Sequence, residues 1–241
     1  MVENEERLKS NLRKTDQEKL TVIHGDLVMD KDTIFENSIL VKGSILREDE
    51  EKHSLTVKGS IIVLGSINVS GDIHAEGDIH ADGYLKVNGN ITANDIHTEG
   101  YIDVSGNIHA TGVIYTWNLN AQDIHVKGDI MALDIHARNI KTLGKIDASN
   151  INASGDIYAK GDIYLWINIH ARNIKTLGKI DALSIIAEFT ISANTIIFKH
   201  LTLLYNEKKG IICKNLINKR DANGLEDNIH IYRKMKIEEL T

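Results

Sequence analysis

A run of five- and six-residue units constrains this chain more than any other feature. From Gly71 it reads GDIHAE, GDIHAD, GYLKVN, GNITAN, DIHTE, GYIDVS, GNIHAT. The wording continues through GDIMAL, DIHAR, NIKTL, GKIDAS, NINAS and GDIYAK, and the element IHARNIKTLGKIDA stands unchanged at 135–148 and 169–182. A repeat this short cannot bury an apolar face alone, so each copy must stack on others. Within a unit an aliphatic residue is followed two positions later by Ala, Val or Thr, as at Ile73/Ala75, Leu85/Val87 and Ile102/Val104. Such period-two alternation marks a strand with one buried face. The Gly opening many units then reads as a corner residue, placed where positive φ costs it little. Where Gly is missing, the unit shortens to five and usually opens on Asp or Asn: Asp95, Asn118, Asp123, Asp134, Asn139, Asn150, Asn173. These side chains bond their own turn.

The spacing of the duplicated element counts the sides. Its copies are 34 residues apart, which three units per turn divide into two turns of 17. A four-sided pentapeptide helix needs about 20 residues per turn and does not fit. One face followed through Ile73, Ile91, Ile108, Ile124, Ile140, Ile157, Ile174 and Ile191 advances in steps of 16 to 18. The small residue follows the aliphatic one by two positions, not the four of left-handed hexapeptide helices, and units drop freely to five. The expected fold is therefore all-β: a three-sided parallel β-helix (solenoid), right-handed, with about 17 residues per turn and 8–10 turns.

Composition agrees with a fold that has few long loops, since Pro is absent and aromatic residues make up only 5%. The core must be aliphatic. A net charge of −6 gives no global argument for nucleic-acid binding, and the single Cys213 excludes a disulfide framework and a CxxC site. No apolar run approaches the roughly 18–20 residues that span a bilayer. The charged opening shows no signal peptide, so a cytoplasmic location is expected. Residues 1–20 read as a charged N-terminal arm or short helix, 21–200 as the β-helix with clear repeats from 54, and 201–241 as a C-terminal capping segment. REDEEKH at 47–53 reads as a loop extruded from one corner.

The Gly-punctuated wording of GDIHAEGDIHADGYLKVNGNITA and GYIDVSGNIHATG resembles the core of the bactofilins, over roughly residues 54–195. These are polymer-forming bacterial cytoskeletal proteins. The resemblance implies a right-handed three-sided β-helix that assembles end to end without nucleotide. The chain lacks the Pro-rich tails of that family.

Seven His follow the aliphatic position and face outward: His74, His80, His97, His109, His125, His136 and His170. The register puts His80 and His97 on adjacent turns of one face and His109 and His125 on adjacent turns of another. Imidazoles about 5 Å apart can share a transition metal, which makes these four the candidate ligands. The plainer account is that IHA is the template and its His is solvated, so no metal and no cofactor is expected. No P-loop, GxSxG, HExxH or paired-Cys element is present, and no catalytic residue is assigned.

The sharpest departure from the template is apolar. Trp117 and Trp166 are 49 residues apart, three turns in this register, and each lies two after a Tyr, Tyr115 and Tyr164. Met131, Leu133 and Leu183 share the row, interrupted by Asp147 and Ser149, whereas His80, Asp82 and Glu99 occupy it upstream. An apolar patch of this kind marks a contact surface, with another molecule or with the chain's own tail. Lys208, Lys209, Lys214, Lys219 and Arg220 form a basic run that could touch a membrane surface. The expected function is a non-enzymatic structural scaffold that self-associates, into filaments or a homo-oligomer, through its helix ends and the apolar side face. The alternative is a binding module for a protein, glycan or surface ligand. An acyltransferase-type β-helix enzyme comes third, because the unit spacing is wrong for that family.

Overall fold

The computed structural model describes residues 20–48, 51–204, 210–218, 228–231 and 238–239. Every regular element among these is a β-strand, and every registered pairing is parallel, as between Ile79–Ala81 and Ile96–Thr98. The chain is a parallel β-solenoid of about 11 turns with about 17 residues per turn. Pairing continues past residue 203: Thr195–Phe198 pairs with Asn215–Asn218 and His200–Leu203 with Asn228–Ile231. Those strands lengthen the winding beyond the 8–10 turns expected. None of the described residues forms a helix long and apolar enough to cross a membrane.

The contacts divide the chain into two units, 1–122 and 123–241. In the first, three-residue strands alternate with Gly corners. Leu55–Val57, Ile67–Val69, Ile73–Ala75 and Leu85–Val87 bury their outer two residues and leave the middle one partly or fully exposed. Equivalent Ile and Leu side chains stack in register, Ile73 on Ile91 and Ile91 on Ile108, so the core is a column of aliphatic rungs. Ile39–Val41 and Ile61–Val63 are buried at all three positions, and their outward Leu40 and Ile62 form a small cluster with Leu20 and Leu64 against it. The 47–53 insertion shows in the rung length: Ser60 N–H reaches back 22 residues to Ser38, whereas Asp78 N–H reaches back 18 to Ser60.

The corners are held by side-chain ladders. Asp32 Oδ1 accepts the N–H of Ser54, Ser54 Oγ that of Asp72, Asp72 Oδ1 that of Asn90, and Asn90 Oδ1 that of Asn107. A second ladder runs from Ser38 through Ser60 and Asp78 to Asp95, whose carboxylate accepts Val113 N–H at 2.6 Å. These bonds satisfy corner N–H groups that strand pairing would leave open. They also correct the reading of the corner glycines. Among the described glycines only Gly25 has positive φ, at 150°. At corners from Gly43 to Gly178 the rung before leaves little or no space for a Cβ. A Cβ on Gly77 would meet Ser60 Oγ and come within 2.9 Å of the Gly59 carbonyl carbon. Space, not backbone conformation, selects Gly.

In the second unit many corners lack Gly, and the strand runs through the bend. Asp134–Thr142 is nine residues and Ile163–Thr176 fourteen. Corner residues at those bends carry side chains, and the Gly corners that remain in this unit are braced by threonines. Thr142 and Thr176 are buried, bonded to the carbonyls of Gly128 and Gly161, and each hydroxyl accepts an N–H two residues on, from Gly144 and Gly178.

Candidate functional site

In the first unit the outward column Ile62, His80, His97, Tyr115 follows strictly from register. The rings stack. His80 and His97 centroids are 4.6 Å apart and 7° from parallel, and His97 and Tyr115 are 4.7 Å apart at 12°. Each His has a carboxylate two residues on: His80 Nε2 lies 3.4 Å from Asp82 and His97 Nε2 3.6 Å from Glu99. Near-parallel rings aim their nitrogens side by side and not at a common point. Among the described residues, no group of three or more His, Cys, Asp or Glu is arranged to hold a metal ion. His109 lies in the first unit, opposite Thr92, and His125 in the second; both are exposed. A second ring stack joins Tyr84 and Tyr101 at 5.0 Å. Tyr115 and Trp117 are exposed at the end of this unit, with Trp117 N–H bonded to Gly100 O.

The second unit carries the other five residues of the expected face. Its outward column reads Met131, Asp147, Tyr164, Asp181, Ile197, Ile217, so acids alternate with apolar groups over its first four rungs. Tyr164 OH donates to Asp162 at 2.8 Å, and Lys179 Nζ sits 4.5 Å over the Tyr164 ring and 3.9 Å from Asp181. At the neighbouring corner the register slips. Ala148 pairs with Leu165 but Asn150 with Asn168, so Trp166 and Ile167 oppose the single Ser149. A bulge of this kind re-aims side chains outward. Trp166 is 76% exposed, with Leu183 also open one rung after it and Leu133 open two rungs before, beyond Ser149. Beside it lies an open depression of about 260 Å³ lined by Tyr164, Leu165, Trp166, Asp181 and Leu183.

Sequence reasoning placed Leu133, Trp166 and Leu183 on one row but missed Ile167, Asp181 and Lys179. The signal for Ile167 is in the spacing: three residues lie between the inward Leu165 and Ile169, where two lie between Ala148 and Ile151. Of the basic run, Lys214 is exposed, while Lys208, Lys209, Lys219 and Arg220 lie outside the described residues.

Residues 54–237 match the profile of the FapA (Flagellar Assembly Protein A) β-solenoid domain. The chain belongs to the FapA family. The match covers most of the repeat region and the strands from Ile211 to Ile231. It names a solenoid, the kind of fold that the bactofilin resemblance implied, and its description is of an assembly protein. No curated protein and no solved structure matches the chain.

Proposed function

We propose that this chain is a non-enzymatic structural scaffold that self-associates, in a manner like that of the bactofilins, as part of a larger assembly. The FapA description points to a flagellar one. The observation that carries the reading is the first rung. Among the described residues, Thr21–Ile23, Leu27–Met29 and Thr33–Phe35 pair on one side only, with the strands at 39–41, 45–47 and 55–57. Three strand edges on one end of a repetitive stack present backbone donors and acceptors that a like strand can continue. Each rung repeats the same three-strand plan, with one lengthened to 22 residues by its insertion, so the open edge of the first rung matches the edge that each rung presents to the next.

The test is electron microscopy and sedimentation of the purified chain, with Val22→Pro beside it. Pro removes one edge donor without touching the buried rungs. Filaments or strings in the wild type, lost or shortened in V22P at unchanged circular dichroism, are the expected result. A single discrete particle at every concentration would overturn the proposal.

A further inference from the structure

We infer that the corner carrying Trp166 is a two-fold symmetric contact with a second copy of this chain. The inference rests on the self-association reading and adds a side-by-side contact to the end-to-end one. The patch holds both halves of a self-complementary joint. Trp166 projects from the bulge with most of its surface in solvent, and it also walls one side of an open depression of about 260 Å³, bounded otherwise by Tyr164, Leu165, Asp181 and Leu183. A projection and a socket on one patch are the requirement of a two-fold contact, where each copy inserts into the other.

The chemistry of the socket argues for an apolar occupant. Its polar groups are already engaged within the chain: Asp181 with Lys179, and the Tyr164 hydroxyl with Asp162. A sugar would need several polar groups turned toward its hydroxyls. Lys179 also offsets the charge of Asp181, so doubling the patch does not oppose two uncompensated acids. A strongly basic or acidic partner gains little from such a surface. Size fits as well. Trp166 alone can bury about 150–250 Å², and with Leu133, Ile167 and Leu183 from both copies the apolar centre reaches on the order of 800 Å². With a polar rim this approaches the roughly 1,200 Å² at which specific interfaces begin.

The experiment uses the full chain with Trp117→Phe, so that Trp166 is the sole fluorophore. Sedimentation equilibrium and Trp emission are followed over a wide concentration range. Trp166→Ser and Ile167→Cys serve as variants, the latter oxidised, with the native Cys213 buried. Expected are a concentration-dependent dimer with a blue shift of Trp166, a dissociation constant on the order of thirty-fold weaker in W166S, and a disulfide-linked dimer in I167C. Assembly that W166S leaves unchanged but V22P abolishes would overturn this inference and leave the scaffold standing. A wild-type monomer throughout would overturn both. A Trp166 shift on adding simple sugars to the monomer would assign the socket to a ligand and overturn the contact.

Discussion

Replacing Gly112 by Ala tests the rule that space selects the corner glycines. A Cβ there would fall on Asp95 Oδ1 and lie 2.8 Å from its Cγ, while the nearest backbone atom, Asn94 O, is 3.3 Å away. The obstacle is a side chain that can move. It would move at the cost of its bond to Val113 N–H, now 2.6 Å long. A hydrogen bond to a charged group contributes about 1.5–3 kcal/mol, so G112A should destabilise by about that much. Asp95→Ala alone loses the same bond. In D95A/G112A the bond is already gone and the obstacle with it. Ala at 112 should then be neutral, or stabilising by up to about 1 kcal/mol, because it restricts the unfolded chain and Gly112 has no positive φ to lose. Gly89 is the control. Its Cβ would come 2.5 Å from Gly71 O and 2.6 Å from Gly71 C, backbone atoms that Asp72→Ala does not remove. Ala at 89 should therefore still cost more than about 2 kcal/mol in the D72A background. Urea denaturation with matched m values reads all six variants. A G112A cost that persists undiminished beside D95A would refute the argument.

The buried threonine pair should respond asymmetrically. Thr116 Oγ1 lies 2.9 Å from Thr98 Oγ1 and donates to Gly100 O at 3.0 Å, whereas Thr98 is 3.5 Å from that carbonyl. T98V leaves Thr116 satisfied and should cost about 0.5–1 kcal/mol; T116V strands the Thr98 hydroxyl in the core and should cost about 1–3 kcal/mol, and equal costs by urea melting would contradict the assignment. In the second unit Arg138 Nε donates to Asp123 Oδ1 at 3.0 Å, and that hydrogen bonding, with Asn139 adding to it, holds the Asp123 carboxyl below the ordinary aspartate range. A lowered folded-state pKa stabilises above the unfolded value of about 3.9 and loses that contribution as pH falls through the folded value. The stability difference between wild type and R138Q should thus be full at neutral pH and shrink only below about pH 4. A difference that grows on acidification would show the pair to be misassigned.

The register was legible because it depends only on counting. Steps of 16 to 18 put Ile91 beside Ile108 and His80 beside His97, where the structure pairs them. The inward and outward sides followed from the period of two. What counting cannot supply is the distance between rungs. The role of the corner Gly was misjudged for that reason: in one dimension Gly77 looks like a turn residue, and only the Ser60 hydroxyl beneath it reveals a steric demand. The same limit hid the burial of Leu40 and Ile62, whose outward position on an alternating strand gives no sign of cover. The bulge at Trp166 was written in the sequence as one extra residue, but a template that already varies between five and six absorbs such an insertion without notice.

These observations combine into a rule for where such a solenoid can carry function. A Gly corner is closed, because the preceding rung's Ser, Asp or backbone fills the space a Cβ would take, and its polar side chains are used in holding the rungs together. A corner without Gly leaves a side chain free to project. Trp117, Leu133, Arg138, Trp166 and Leu183 all stand at such corners and are all exposed; the strand runs through at Arg138 and Trp166 and breaks at the other three. Replacing a corner Gly by Asp or Asn and shortening the unit by one residue therefore changes the surface without disturbing the stacked Ile beneath. Within the described residues, the second unit has made that exchange repeatedly, and Trp166 stands where one further residue has been added. The apolar patch is thus the product of the corner chemistry, and it can vary while the fold stays fixed.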